Sequence, residues 1–135
     1  MSLPKTNLYV LRLAMGKFYV GKSVNPEKRI HAHFTGKGAV WTRLYKPLAV
    51  EKILYGADPY EEDMLTKQVM AKAGIDNVRG GTYVQKTITE QQMKFIEREI
   101  WAAHDSCTRC GRNQHFAAVC HHTVDVNGHQ INDFV

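Results

Sequence analysis

The sequence lacks an apolar run long enough to cross a bilayer, and Arg12 interrupts the one apolar stretch near its start. A membrane-spanning helix needs about 20 consecutive apolar residues, so we expect neither such a helix nor a signal peptide, and no membrane partner. Internal repeats and low-complexity segments are also missing, which argues against a repeat architecture. We therefore expect an intracellular protein in a reducing compartment, the cytoplasm or the nucleus.

Cysteine is scarce, with three residues in 135, and all three lie between positions 107 and 120. Acidic residues number 13 against 18 Lys and Arg, which gives a formal net charge of +5 and a pI near 9.2. This moderate excess of positive charge agrees with a nucleic-acid partner but does not establish one. With 44% hydrophobic residues, the chain can bury one small core plus an appendage.

The cysteines share a metal-binding spacing with one histidine. The pattern is C-x2-C-x4-H-x4-C, formed by Cys107, Cys110, His115 and Cys120. Zn2+ prefers four N or S ligands in a tetrahedron, and a segment this short cannot bury a core, so we expect a structural Zn2+ here. With Gly111 after the second cysteine and Phe116 after the histidine, the segment resembles the zinc knuckle, a nucleic-acid-binding module. The alternative is two buried thiols and an unrelated third cysteine.

Apolar patterning predicts a β-hairpin near the N-terminus. Residues 7–13 and 17–22 are rich in Leu, Val, Tyr and Phe, and Met15-Gly16 lies between them. Asn25 followed by proline is typical of a helix start, because asparagine caps the first turn and proline suits the first helical position. A short helix is therefore predicted to run from there to about residue 34.

Further elements are predicted along the rest of the chain. Residues 48–54 have the composition of a third strand, and Asp58 with the Pro and Glu that follow predicts the start of a helix over 58–74. Residues 77–81 are predicted to form a loop. A last helix with an apolar stripe is predicted over 89–104.

These elements predict an α+β fold, a small antiparallel three-stranded sheet flanked by helices, joined to a zinc knuckle. Residues 1–88 form the first domain, and the helix over 89–104 is expected to connect the domains and to pack on the first one. The knuckle covers residues 105–122, and residues 123–135 are expected to be a loosely held tail. The oligomeric state does not follow from the sequence.

Two tyrosines ten positions apart, Tyr9 and Tyr19, lie in the predicted hairpin. Taken alone, such a pair is ordinary cross-strand packing. However, Leu8-Tyr9-Val10 and Phe18-Tyr19-Val20-Gly21 stand where GIY-YIG nucleases have their two name-giving tripeptides. The first tripeptide departs from the name, since only its tyrosine is kept. The resemblance therefore depends on further positions.

Those further positions appear in order along the chain. Arg29 and His33 are four apart on the predicted first helix, so they share one face. Glu62 lies on the core-facing stripe of the next predicted helix. Asn77 matches the late asparagine of the pattern. Over residues 7–85 the sequence thus resembles the GIY-YIG nuclease family.

The resemblance implies an endonuclease that uses Mg2+ or Mn2+ to hydrolyse DNA phosphodiester bonds. It gives Tyr9 the role of general base, with Tyr19 and His33 assisting, although a free tyrosine titrates near ~10 and which tyrosine is the base stays open. Arg29 would clamp a phosphate oxygen, and Glu62, as a single carboxylate, would hold one metal ion. Two supporting residues are also implied, Lys22 and Asn77.

Basic and aromatic residues outside this set are candidates for nucleic-acid contact, because they suit phosphates and unpaired bases respectively. The candidates are Lys37, Trp41, Arg43, Arg79, Arg109, Arg112 and Phe116. Trp41 can equally pack in the core, and Phe116 can equally cover the metal. The expected partner is DNA, including single-stranded or branched DNA.

Two other functions are also compatible with the sequence. One is a catalytically inactive DNA- or RNA-binding protein that uses the same fold and the knuckle. A decayed site of that kind should have lost at least one of the residues that the chemistry requires. The other is a structural zinc protein that binds another protein.

The register of the hairpin decides whether both tyrosines can share a site. A two-residue loop at Met15-Gly16 would place Tyr9 and Tyr19 on opposite faces, because opposed residues would then differ in parity. A shared site requires an odd loop or a one-residue bulge, for instance with Leu11 opposite Tyr19. We therefore predict an odd register, with both side chains converging on the other site residues.

Overall fold

A mixed four-stranded sheet is the centre of the first half of the chain in the computed structural model, which describes residues 4–131. The strands are β1 (Thr6–Leu13), β2 (Phe18–Ser23), β3 (Pro47–Ala57) and β4 (Val78–Gly80). Their order is β3-β1-β2-β4, with β1 antiparallel to both neighbours and β4 parallel to β2. The α+β prediction is confirmed, and the sheet has four strands instead of the predicted antiparallel three because β4 pairs in parallel with β2.

The fourth strand lies inside the segment predicted as a loop, residues 77–81. It is three residues long and ends in glycine, so its own composition favours a turn. All of its residues are buried, and Phe18 of β2 pairs with Val78. The strand therefore forms because of its place beside β2, which local sequence does not reveal.

The first helix of this half, α1 (Pro26–Phe34), begins where the sequence predicts. The Asn25 side chain accepts a hydrogen bond from the Lys28 backbone N–H at 3.2 Å. A short helix, α2 (Val40–Leu44), follows and has no side-chain cap, which explains why the sequence gives no start signal for it.

The next helix, α3 (Glu61–Ala73), begins later than predicted. The N-cap position belongs to Tyr60, not to Asp58, and Tyr60 makes no capping hydrogen bond. Asp58 instead opens a turn, in which its backbone N–H donates to the Glu61 carboxylate at 3.4 Å and its carbonyl accepts from the Glu61 N–H at 3.0 Å. The helix ends at Gly74 as predicted, with a φ of 99° at that glycine.

The hairpin of β1 and β2 has the predicted odd register. Tyr9 pairs with Gly21 and Leu11 with Tyr19. The loop is a three-residue 3-10 turn in which Met15 has a φ of 63°. Opposed residues therefore share parity, and Tyr9 and Tyr19 lie on the same face with their ring centroids 6.4 Å apart. The register prediction is confirmed.

A hydrophobic cluster fixes α1 and α2 against this face of the sheet. Its buried members and the side chains packed on them are Tyr9, Leu11, Leu13, Ile30 and Trp41, with Tyr19, Tyr45 and Ile53. The indole N–H of Trp41 donates to the Phe18 carbonyl at 3.0 Å. The helices that carry site residues are therefore anchored to the strands that carry the tyrosines.

The chain divides into two compact units, Met1–Ile88 and Thr89–Val135. The second unit begins with α4 (Glu90–Ala103), which Thr89 caps as predicted through a capping box with Gln92. The expected packing of this helix on the first domain stays a prediction. Within residues 4–131, no helix has both the length and the apolar character that a bilayer-spanning segment needs.

Residues 123–131 make backbone hydrogen bonds within the segment and to the predicted knuckle instead of forming a loose tail. Val124 and Gln130 form an antiparallel bridge, and the Val126 N–H donates to the Cys110 carbonyl at 2.7 Å. The tail prediction is therefore wrong for this segment, because its backbone groups are satisfied within the unit. Residues 132–135 of the predicted tail, and residues 1–3, lie outside the described residues.

Candidate active site

Three ring side chains meet on one face of the sheet. Tyr9 comes from β1, Tyr19 from β2 and His33 from α1. The Tyr9 hydroxyl oxygen lies 2.7 Å from His33 Nε2, within hydrogen-bond distance. The ring centroids of Tyr19 and His33 are 4.9 Å apart. The odd hairpin register thus brings the two tyrosines together with the histidine of α1.

Two glycines leave room for these rings. A Cβ at Gly21 would lie 2.7 Å from Cε2 of Tyr9, and a Cβ at Gly38 would lie 2.7 Å from Cγ of His33. Both distances are well inside van der Waals contact, so any larger residue would displace the ring. Gly38 was not among the predicted site residues, because a glycine in a loop gives no sign of a ring packed against it.

The second ring nitrogen of His33 is also engaged. Nδ1 lies 3.0 Å from Thr42 Oγ1 and 3.3 Å from the Ala39 backbone nitrogen. Neither residue was among the sequence candidates, because α2, which positions them, has no start signal in the sequence. His33 is fully buried, and the contacts at both ring nitrogens fix the orientation of the ring.

Charged side chains border the three rings. Arg29 is exposed on α1, and its charge lowers the pKa of Tyr9. The ammonium of Lys22 lies 3.7 Å from Glu62 Oε1, and the Glu62 side chain is 14% exposed. Glu62 therefore faces the sheet, which is the helix phase that the sequence predicts.

The surroundings favour neutral side chains at neutral pH. Burial, followed by the neighbouring Tyr19, raises the pKa of Tyr9, while Arg29 lowers it. Burial and then Glu62 raise the pKa of Tyr19. Burial and then Arg29 lower the pKa of His33 to about 4, and burial also raises the pKa of Glu62. At pH 7 the imidazole is therefore neutral, and both tyrosines keep their protons.

Asn77 joins the end of α3 to the hairpin. Its amide nitrogen donates to the Ala73 carbonyl at 2.7 Å, and its Oδ1 accepts from the Lys17 ammonium at 2.9 Å. On the neighbouring loop, the Thr82 backbone N–H donates to Asp63 at 2.8 Å. The two hydrogen bonds of the Asn77 side chain agree with a structural role for this residue, and its importance for catalysis stays a prediction.

Two residues predicted to contact nucleic acid are buried. Trp41 is 4% exposed and Arg79 is 2% exposed. The Arg79 guanidinium lies 4.4 Å from the Trp41 ring centroid. It donates hydrogen bonds to backbone carbonyls of Ile75, Val78, Gln85 and Lys86. The prediction is wrong for both residues, because a buried side chain whose donors bind carbonyls cannot reach a phosphate.

The other candidates for nucleic-acid contact divide by exposure. Lys37, Arg43 and Phe116 are exposed, and their contact with nucleic acid stays a prediction. Arg109 and Arg112 are half-buried, and they donate to backbone carbonyls of residues 122 and 124 respectively. Both arginines therefore hold the segment that follows the last cysteine, a role that their spacing does not reveal.

The second unit brings the predicted zinc ligands together. All four donor atoms lie within 4.8 Å of one another, from Cys107, Cys110, His115 and Cys120. Three thiols and one imidazole are a donor set of structural zinc sites, so these residues fit the ion. Burial raises the pKa of Cys120, but hydrogen bonds led by the Arg109 side chain lower it to about 6. The thiolate form of Cys120 is thereby favoured.

Part of the first unit is similar in sequence to known proteins. Residues 5–67 match the GIY-YIG catalytic domain. A UPF0213 protein of Neisseria meningitidis serogroup C / serotype 2a is 40% identical over 58 residues, 43% of this chain and 64% of that relative. A UPF0213 protein of Bacillus cereus is 36% identical over 58 residues, 43% of this chain and 60% of that relative. No solved structure matches the chain.

The chain spans less than two thirds of the length of these relatives, and the matched segment ends inside α3. That segment nevertheless contains the residues of the candidate site up to the acid on α3. They are Tyr9, Tyr19, Arg29, His33 and Glu62. The hairpin, the α+β fold and the matched segment together make residues 5–67 of this chain similar to a GIY-YIG catalytic domain.

Proposed function

We propose that this protein is an endonuclease that hydrolyses DNA phosphodiester bonds with one Mg2+ or Mn2+ ion held at Glu62. The observation that carries the proposal is the 2.7 Å contact between the Tyr9 hydroxyl and His33 Nε2. A phenol is a poor base while it keeps its own proton. A neutral, buried imidazole beside it offers that proton an acceptor, so the phenol oxygen can take one from water.

Glu62 suits a single hard metal ion. Its carboxylate is mostly buried but still reaches solvent, and its charged partner Lys22 is 3.7 Å away on a flexible, exposed side chain. Mg2+ typically binds one or two carboxylates, keeps several waters and touches the substrate phosphate. When bound, the ion supplies stabilisation of the charge that develops on the phosphoryl oxygens.

The side chains of this site then share the proton and phosphate chemistry. Tyr9 Oη takes a proton from the attacking water while its own proton passes to His33 Nε2. The water oxygen forms its bond to phosphorus as the bond to the 3′ oxygen breaks, and the departing oxygen keeps the electron pair and takes a proton from solvent. Arg29 binds a phosphoryl oxygen through its planar fork, Lys22 contacts the phosphate, and Tyr19 keeps the water beside Tyr9.

The zinc module is proposed to add affinity for single-stranded or branched DNA. One structural Zn2+ would order residues 107–120, and the exposed Phe116 ring then offers a stacking surface for an unpaired base. Lys37 and Arg43 are exposed cations suited to the phosphate backbone. An inactive binding protein is less favoured, because the set of residues that the chemistry needs is complete.

Incubation of the protein with labelled duplex, single-stranded and branched DNA, with and without Mg2+, tests the proposal. We expect that at least one of these substrates is cleaved and that its cleavage requires the metal. Cleavage should be lost in Tyr9→Phe, which keeps the ring and removes the hydroxyl. Tyr55→Phe is the matched control, because Tyr55 is an exposed residue of β3. A folded protein that cleaves none of these substrates with Mg2+ or Mn2+ would contradict the proposal.

A further inference from the structure

The hydroxyl of Thr42 has a single hydrogen, and two acceptors lie within reach of it. Its Oγ1 is 2.8 Å from the Ala39 carbonyl oxygen and 3.0 Å from His33 Nδ1. A carbonyl oxygen can only accept, so the shorter contact is a hydrogen bond only if Thr42 donates to it. The lone pairs of Oγ1 then face Nδ1, and that contact requires His33 to be the donor. With the Thr42 hydrogen in the shorter contact, Nδ1 carries a proton.

The other ring nitrogen completes the assignment. A neutral imidazole has one N–H, so a hydrogen on Nδ1 leaves a free lone pair on Nε2. The Tyr9 hydroxyl, 2.7 Å from Nε2, is then the donor of that hydrogen bond. Tyr9, His33 and Thr42 are each 2% exposed or less. Water therefore competes little with these contacts, and their donor and acceptor roles are set by one another.

We propose that Thr42 is a positioning residue that holds His33 in the Nδ1-protonated tautomer, so that Nε2 can accept the Tyr9 proton. This inference rests on the proposed nuclease function and deepens it. In the transfer the phenol O–H bond breaks, its electron pair stays on Oη, and a new N–H bond forms at Nε2. The ring becomes an imidazolium whose Nδ1–H still donates to Thr42.

The Ala39 backbone N–H provides the competing arrangement. It lies 3.3 Å from Nδ1 and would donate to that nitrogen if it carried no proton. Nε2 would then hold the hydrogen and donate to Tyr9, which blocks proton transfer from Tyr9. In that state the Thr42 hydroxyl can bond Nδ1 at 3.0 Å only by giving up its shorter hydrogen bond to the Ala39 carbonyl. The Thr42 hydroxyl therefore disfavours the wrong tautomer.

Removal of that hydroxyl should release the ring to the other tautomer. In Thr42→Val the Ala39 N–H is the remaining partner of Nδ1, so the hydrogen should move to Nε2. The Ala39 carbonyl keeps backbone partners in this variant, because it also accepts from the N–H groups of Thr42 at 3.1 Å and Arg43 at 3.2 Å. Thr42→Ser keeps the hydroxyl and should keep the original tautomer.

The test is the His33 tautomer in the full chain with its zinc, read by 15N NMR of histidine-labelled protein at neutral pH without DNA. The His33→Gln variant identifies the resonances. We expect Nδ1–H in the wild type, Nε2–H in Thr42→Val and Nδ1–H in Thr42→Ser. A wild type with Nε2–H, or a Thr42→Val protein that keeps Nδ1–H, overturns the inference. Thr42→Ala gives the same readout if Thr42→Val does not fold.

Cleavage provides a second readout that separates this inference from the proposed function. Thr42→Val is expected to cleave at least about tenfold more slowly, because general acid–base catalysis contributes about 10²–10⁴-fold and Thr42 acts on it only through His33, while Thr42→Ser stays close to wild type. A protein that switches tautomer as expected but cleaves no DNA contradicts the nuclease proposal alone. Efficient cleavage with Nε2–H in the wild type contradicts the role of Thr42 alone.

Discussion

Tyr9 is a buried phenol whose neighbours act on its pKa in opposite directions. Burial and Tyr19 raise the pKa of Tyr9, whereas the Arg29 cation lowers it. The same cation also lowers the pKa of His33. Arg29 therefore makes the phenol a better proton donor and keeps its acceptor neutral. Its proposed contact with phosphate is thus coupled to the state of the proton pair.

Glu62→Gln is predicted to lower cleavage at least about 100-fold, because glutamine keeps the shape of the side chain but removes the charge that holds the metal. Binding to DNA should change less than about twofold, since it depends on basic contacts elsewhere. Single-turnover cleavage and a binding titration measure the two effects. Glu61→Gln is the control, because Glu61 binds the turn at Asp58. A dead Glu61→Gln with an active Glu62→Gln would show that the wrong acid was assigned.

His33 predicts a loss of stability in acid. Its pKa falls from an ordinary 6.5 to about 4 in the folded protein, so the unfolded chain binds more protons between those values. The stabilisation is fully present above the unfolded pKa and is lost as the pH falls toward the folded one. Between pH 7.5 and 4.5 the free energy of unfolding is expected to fall by about 2 kcal/mol because of His33.

Urea unfolding of the wild type and of His33→Gln at both pH values isolates this effect. The variant should be less stable at pH 7.5 but should lose less stability on acidification, with the difference near that amount. Equal pH dependence in the two proteins would show that His33 is not held neutral by the fold.

At the scale of elements, the sequence correctly predicted the helices that begin with a capping side chain and the register of the hairpin. Asn25 and the proline after it predicted the start of α1, and Thr89 predicted the start of α4. The odd register of the hairpin followed from the expectation that Tyr9 and Tyr19 lie on the same face. In contrast, β4 is a glycine-ended tripeptide that is a strand only beside β2, and α2 has no cap. Thr42, whose hydroxyl contacts His33, was not predicted as a site residue for this reason, because it lies on α2.

The pairing of Tyr9 with Gly21 gives a prediction for the hairpin. In Gly21→Ala the new methyl group would overlap the Tyr9 ring, and the displaced hydroxyl should lower cleavage by about 100-fold. Gly16→Ala is the matched control, because Gly16 has a φ of 73° but no atom within 4 Å of an added Cβ. That control should lose stability by about 1 to 2 kcal/mol from backbone strain and keep its activity.

Thermal unfolding and single-turnover cleavage of both variants decide between strain and steric overlap. If Gly21→Ala cleaves as well as Gly16→Ala at equal fraction folded, the Tyr9 hydroxyl is not positioned through this glycine.

At the scale of the whole molecule, the two units are stabilised in different ways. The first has a sheet with a hydrophobic cluster on one face. The zinc module of the second unit places Cys107 and Cys110 in buried positions, and the Arg109 side chain lies beside Cys120. A metal ion is therefore expected to contribute much of the folding free energy of residues 105–131.

Protein purified without added metal is predicted to contain about one zinc per chain. Elemental analysis measures the metal, and titration of thiols in the native state should find the three cysteines unreactive until zinc is chelated. Chelation should also disorder residues 105–131 while the first unit keeps its fold. Freely reactive thiols with little zinc in a folded protein would contradict the assignment.

A chain that ends at Ile88 is predicted to fold and to retain Mg2+-dependent cleavage. The residues proposed to act on the phosphodiester, and the hydrophobic cluster beneath them, all belong to the first unit. Affinity for single-stranded DNA should fall about tenfold, because the loss of one stacking ring removes on the order of 1 to 3 kcal/mol. Circular dichroism should first establish that the shortened chain is folded, and cleavage and binding are then measured on the same DNA. Complete loss of cleavage in that folded chain would make the second unit part of the active site, and tethering of the substrate would no longer describe its role.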